Sequence, residues 1–285
     1  MPRALSSAVV KSRRHPLVMR CRALARGRGA PGDLLIDGVH LVREARASGI
    51  HLSQVLVDER RARTDEVAPL VTTLPPASVV LVSSAVFPDL SPVRQSSGVV
   101  AIGRRPVHAM AGALAGRRPL VLVLVDVQDP GNVGAAIRAA DAGGATGVIV
   151  AGVSADPWSW KALRGAMGSA FRLPLVREPD VEAVLRQVRS AGLAIVAAAA
   201  DGETPLQRAR LQEPTAILVG SEGAGLPAVA LDAASARVAI PMRPPVESLN
   251  VAVAAALLVY EARRSRAEPH PLAPSPLAPN PRARF

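Results

Sequence analysis

From Leu120 the chain reads Leu-Val-Leu-Val-Leu-Val before it reaches Asp126. A strand with one solvated face alternates apolar and polar residues, so an unbroken aliphatic run must be covered on both faces. Similar runs recur at Gly147 to Ala151, Leu193 to Ala199, Ala216 to Gly220 and Val238 to Ile240, separated by stretches at helical spacing. This alternation predicts an α/β domain over about residues 119–266, with a parallel sheet between layers of helices. In such sheets ligands gather at the carboxyl ends of the strands. The segments that follow the apolar runs are therefore where chemistry is sought.

A smaller α/β pattern occupies residues 31–106. Its strands are expected at Leu34 to Ile36, Gln54 to Val57, Val79 to Val82 and Gly98 to Ile102, with a helix over Val39 to Ala47 and a short helical turn within Ser83 to Leu90. Residues 107–118 lack strand periodicity and are read as a partly helical linker. Residues 1–30 carry Arg13, Arg14, Arg20, Arg22, Arg26 and Arg28 and form a basic N-terminal arm, either a solvated leader with a short helix or a segment that touches RNA. From residue 267 prolines recur; their missing amide donors and fixed φ predict a disordered tail over 267–285.

Of the 285 residues, 49% are apolar, ample for packed cores. The formal net charge of +11 comes almost wholly from arginine, since Lys11 and Lys161 are the only lysines. That favours a polyanionic partner, although arginine abundance also accompanies the abundance of Ala, Pro and Gly throughout the chain. With only 2% aromatic residues, a base-stacking platform is not expected, and recognition would lean on arginine, backbone and shape. The single cysteine, Cys21, cannot form an internal disulfide and no Cys/His cluster has zinc spacing, so no metal and a reducing, cytoplasmic setting are expected. No secretory apolar core follows Met1, and Val251 to Tyr260 is too short for a membrane span, which suits a buried helix.

Three segments join a strand end to a helix start. The first is Asp129-Pro-Gly-Asn-Val-Gly-Ala-Ala-Ile-Arg. Asn132 stands where a helix N-cap belongs, and Arg138 shares a helix face with the small residues Gly134 and Ala135, leaving room for a large partner. The bland alternative for Arg138 is an ion pair with Asp141, one turn on. The second is Ile217-Leu-Val-Gly-Ser-Glu-Gly-Ala-Gly-Leu-Pro. Gly220, Gly223 and Gly225 strip side chains from both sides of Glu222, permitting unusual φ and close backbone approach to a ligand. The third is Ile240-Pro-Met-Arg-Pro-Pro-Val-Glu-Ser-Leu-Asn, in which Ile240 and Leu249 offer apolar walls while Ser248 and Asn250 offer polar groups at a helix start.

Taken together and in this order, the three segments resemble the motifs of the SpoU (TrmH-like) family of SPOUT-class RNA ribose 2'-O-methyltransferases, over roughly the last half of the chain. Met167-Gly-Ser-Ala-Phe-Arg-Leu-Pro resembles the family's stretch between the first two motifs. The resemblance implies a trefoil-knotted parallel-sheet methyltransferase domain at 119–266, preceded by a small α/β RNA-binding domain. It implies S-adenosylmethionine as cofactor, an obligate homodimer whose sites combine two subunits, and methyl transfer to a ribose 2'-hydroxyl of structured RNA. Ribosomal RNA of the 23S class is preferred to transfer RNA by analogy with members that carry such an N-terminal domain. The implied catalytic positions are Asn132, Arg138, Glu222, Ser248 and Asn250. The implied cofactor positions are Leu218, Gly220, Gly225, Ile240, Met242, Leu249 and Asn250. Pro244 and Pro245 replace a glycine found after the Met-x of the third motif in many members, and stiffen that loop. The competing classes are a noncatalytic RNA-binding or ribosome assembly protein that keeps the fold, and a serine hydrolase using Ser221 or Ser248. The latter lacks a G-x-S-x-G elbow and a histidine within the motifs.

Overall fold

The computed structural model describes residues 9–93 and 95–266, so the expected tail and residues 1–8 lie outside the described residues. The first unit comprises α1 (Pro16–Ala25), β1 (Asp33–Asp37), α2 (Val39–Ala47), β2 (Leu52–Asp58), α3 (Ala68–Thr72), β3 (Val79–Val82) and β4 (Val99–Arg104). Its sheet has the order β1-β4-β2-β3, with β4 antiparallel to both β1 and β2, and β2 parallel to β3.

The arginine-rich N-terminal segment is not a free arm where it is described. Val10 bridges to Val82, and α1 buries Val18 and Cys21 against Leu35, Leu56 and Ile102 on one face of that sheet. Arg20 and Arg22 belong to a helix whose other side seals a core, and Arg13, Arg14, Arg26 and Arg28 flank it. Arg20 and Arg104 converge on Asp33 at 2.7 and 2.8 Å.

After the short α4 (Met110–Ala113) comes the larger unit. It contains β5 (Leu120–Val125), α5 (Pro130–Gly143), β6 (Gly147–Ala151), α6 (Trp160–Ala166), β7 (Leu175–Glu178), α7 (Val181–Ser190), β8 (Ala194–Ala198), β9 (Thr204–Pro205), β10 (Thr215–Val219), α8 (Ala228–Ala233), β11 (Ala236–Ala239) and α9 (Val251–Arg266). The sheet order is β7-β6-β5-β10-β8-β11-β9 and every pairing is parallel. The aliphatic run that opens the domain is β5, near the middle of the sheet and buried along its whole length. Each such side chain taken from water contributes roughly 1.5–3 kcal/mol before chain entropy is counted. β7 and β9 were not anticipated from sequence, because both are short edge strands without a continuous apolar run.

The helices start and stop for local reasons. At α5 the Asp129 carboxylate accepts the Asn132 amide at 2.8 Å, Pro130 takes the first turn, and Gly144 ends the helix at φ +83°. α7 is amphipathic and buries Val184, Leu185 and Val188. The two units share one apolar cluster that runs from Leu34 and Val42 to Leu163 and Phe171. Polar ties reinforce it: Arg172 joins Glu44 on α2 to Asp141 on α5, and the Trp160 indole N–H donates to the Ala25 carbonyl at 3.2 Å. Among the described residues no helix is long and apolar enough to cross a membrane, and no group of metal-ligating side chains converges.

Candidate functional site

The loops after β5, β10 and β11 meet at the carboxyl edge of the larger sheet. Asn132 lies at the third position of α5, where its main-chain amide is already capped by Asp129. The cap is therefore Asp129, one turn earlier than the expected Asn132, and the Asn132 side chain is free for another purpose. Its Nδ2 donates to Glu222 Oε1 in the β10 loop. Asn250 Nδ2 donates to Asn132 Oδ1 at 3.0 Å and to the same Glu222 oxygen at 3.2 Å. Asn250 Oδ1 meanwhile accepts the amides of Ala252 and Val253 at 3.0 and 3.3 Å, capping α9. One carboxylate thus ties three segments that are as much as 118 positions apart in sequence.

Beside this triad is a cleft of about 580 Å3. It is floored by Val219 and the Gly220–Leu226 loop and walled by Ile240, Met242, Ser248 and Leu249, with Glu247 and Asp201 as acidic groups at its margin. Gly220 is dictated by a close approach: a Cβ there would stand 2.2 Å from the Gly225 carbonyl carbon and oxygen. Gly225 is dictated by its φ of +68°. Ser221 and Gly225 exchange main-chain hydrogen bonds at 3.1 and 3.0 Å, so the loop is a closed ring of backbone. Gly223 meets neither constraint, since a Cβ there has open space and φ is not positive.

Leu218 departs from expectation. Successive residues of a strand face opposite sides, so when Val219 reaches the cleft, the Leu218 side chain is fully buried in the core beside Ala216 and Ile195. The last residue of β8, Ala198, and the loop after it, Ala199 to Asp201, also line the cleft and are not among the residues expected there. The signal that finds it is the end of β8 itself, which points to the same edge of the sheet.

Arg138 stands apart. It is exposed and lines a separate recess of about 510 Å3 between α5 and α6, sharing no lining residue with the cleft. The small-residue face expected to receive a partner is largely filled by α6: a Cβ on Gly134 would meet the Ala162 carbonyl at 2.2 Å, and one on Gly165 the Gly131 carbonyl at 3.0 Å. The alternative ion pair with Asp141 is also not made, because Asp141 binds Arg172 at 2.8 Å.

Residues 119–260 match the model of the SpoU rRNA Methylase family. The 23S rRNA (guanosine(2553)-2'-O)-methyltransferase RlmP of Bacillus subtilis is 35% identical over 230 residues, covering 80% of this chain and 88% of that one. The 23S rRNA (guanosine-2'-O-)-methyltransferase RlmB of Photobacterium profundum is 31% identical, over 81% of this chain and 98% of its own. The chain belongs to the SpoU family. Its fold also superposes on the SpoU methyltransferase AviRb of Streptomyces viridochromogenes, crystallised with AdoMet, with a TM-score of 0.80 at 30% identity, covering 89% of this chain and 98% of that one.

The SpoU cleft of this chain fits the family's cofactor. Its volume falls in the roughly 300–1,000 Å3 range of small-molecule sites. Apolar walls at Leu226, Ile240 and Leu249 suit an adenosyl group, the backbone ring of residues 220–225 supplies amide and carbonyl partners, and the carboxylates at the margin suit hydroxyl or ammonium groups.

Proposed function

We propose that this protein transfers a methyl group from S-adenosylmethionine to a ribose 2'-hydroxyl of structured RNA, with 23S ribosomal RNA as the substrate. The observation that carries this reading is the meeting of the three motif loops at one edge of the sheet, where Glu222 ties Asn132 to Asn250 beside the cleft that the second and third motifs line. When bound, S-adenosylmethionine supplies a methyl group on a sulfonium, which is electrophilic without help from a metal. The remaining work falls to the chain. Main-chain groups of Gly220 to Gly225, with Ile240, Met242 and Leu249, hold the cofactor. Glu222, Asn132 and Asn250 fix the three loops relative to one another, and Ser248 borders the space where the ribose enters. The Arg138 guanidinium presents a planar fork of N–H donors and no acceptor. Its role is to orient the ribose and phosphate and to stabilise negative charge developing on the 2'-oxygen.

The same reading takes the larger domain to be a trefoil knot. Its support is the chain path: β10 is inserted between β5 and β8, β11 lies beyond β8, and α9 then returns across the sheet to pack on α5 and β10. It also takes the protein to be a homodimer. α9 leaves Val253, Leu257 and Tyr260 exposed at 48%, 42% and 49%, an apolar stripe at helical spacing that a second copy covers. In the dimer, Arg138 of one subunit serves the cleft of its partner, which accounts for its separate recess. The small N-terminal unit is the RNA-binding domain, and the setting is cytoplasmic.

The test is labelled-methyl transfer from S-adenosylmethionine to total RNA, fractionated by size and mapped by resistance of the modified linkage to alkali. Label at an alkali-resistant position of large ribosomal RNA is expected. Label confined to transfer RNA would overturn the substrate, and RNA binding with no label would favour a noncatalytic assembly protein.

A further inference from the structure

The recess that holds Arg138 has two further cations that the reaction as derived does not use. α6 places Lys161 and Arg164 on its wall, opposite Arg138 on α5. All three are exposed, and none makes an ion pair among the described residues, whereas Arg172, Arg186, Arg237 and Arg264 all do. Two acidic groups are near. Asp129 lines the recess, with one oxygen committed to capping α5. Asp37 faces Arg164 from β1; burial pushes its carboxyl up, against a hydrogen bond from Ser91 and the pull of Arg164. Three cations against these two carboxylates leave the recess positive.

Its shape is held from both units. The Trp160 ring lies under the Lys161 ammonium, 5.7 Å from the centroid, and the indole N–H is tied to the end of α1 through Ala25. Met167 stands at the rim with φ +48°, an uncommon conformation for a residue with a side chain and one that concentrates at functional sites.

We propose that this recess binds a backbone phosphodiester of the RNA beside the target ribose, with Lys161 and Arg164 as positioning residues that hold the strand against Arg138. The proposal rests on the transferase reading. Guanidinium forks match phosphate oxygens, and cations spread over two helices suit a group that repeats along a strand. The chain's net charge of +11 draws such a strand in from a distance.

The test is equilibrium binding of the full-length protein to protein-free 23S ribosomal RNA from about 50 to 200 mM salt. Lys161→Met and Arg164→Gln are each expected to lower the slope of log affinity against log salt by about 1. Both should raise KM for RNA more than they lower kcat, with cofactor affinity and melting temperature kept, and Lys161→Arg should restore the slope. Unchanged slopes in Lys161→Met and Arg164→Gln would overturn the proposal, as would weaker binding that follows a lowered melting temperature at unchanged slope. If the variants show these slope differences yet the wild type transfers no methyl group, the recess stands as an RNA site and the transferase reading falls.

Discussion

Gly220→Ala isolates the claim that a closed backbone ring forms the floor of the cofactor cleft. The new Cβ would lie 2.2 Å from the Gly225 carbonyl carbon and oxygen and 2.5 Å from the Leu226 nitrogen. These are backbone atoms, so no side chain can swing away. Restoring ordinary contact near 3.4 Å requires the two sides of the loop to part by about 1 Å. The hydrogen bonds between Ser221 and Gly225, now 3.1 and 3.0 Å, would then stretch beyond bonding distance. At about 0.5–1.5 kcal/mol each, their loss costs roughly 1–3 kcal/mol of stability. Main-chain groups displaced by that distance miss the ligand, and losing about 2 kcal/mol of binding is about a thirtyfold loss of affinity. Gly223→Ala is the matched control, because its Cβ meets nothing and its φ is not positive. The assay is calorimetric titration of both variants with S-adenosylmethionine, beside thermal melts. If Gly220→Ala binds cofactor within twofold of wild type, the ring does not form the binding floor and the assignment of this cleft fails.

Arg138→Lys should lose about 10²-fold or more in turnover, nearly as much as Arg138→Ala, because an ammonium lacks the guanidinium fork; methyl-transfer rates near wild type in the lysine variant would refute the orienting role. Asn250→Asp keeps the oxygen that caps α9 but sets a carboxylate against Glu222, so melting temperature should fall only slightly while transfer activity collapses; Asn250→Ala should also lose about 0.5–2 kcal/mol of cap stability. Burial alone would raise the Asp33 carboxyl, yet hydrogen bonds and charge from Arg20 and Arg104 outweigh it and hold the group below the usual carboxylate range. A lowered folded value means that this contribution is full above the unfolded value, about 3.9, and is lost as pH falls through the folded one. The melting-temperature gap between wild type and Asp33→Asn should therefore be widest near neutrality and shrink below about pH 4; a gap that stays constant down to pH 2 would refute this.

What the sequence reveals here divides by the range of the interaction that decides it. β5 is legible because an unbroken aliphatic run has only one way to be buried, and the carboxyl edge of the sheet follows from it. The cap of α5 is also local: proline favours the first helical position, so Pro130 makes Asp129 the cap and releases the Asn132 side chain. Leu218 was likewise decidable, since once Val219 faces the cleft, period two sends its neighbour the other way. β7 and β9 gave too little pattern, because an edge strand such as Leu175–Glu178 is only partly covered and tolerates Arg177 and Glu178. The small face around Gly134 is a different kind of case. A helix packed closely against backbone and a bulky ligand both require small residues, and nothing in the residues near Gly134 distinguishes them. Ala162 decides it from 28 positions away through a contact that exists only when α6 folds back across α5. That fold-back fills the face expected to receive a partner and, one helical turn further along, lines a groove with Arg138, Lys161 and Arg164. The tight helix contact and the cationic recess are therefore two results of one packing event.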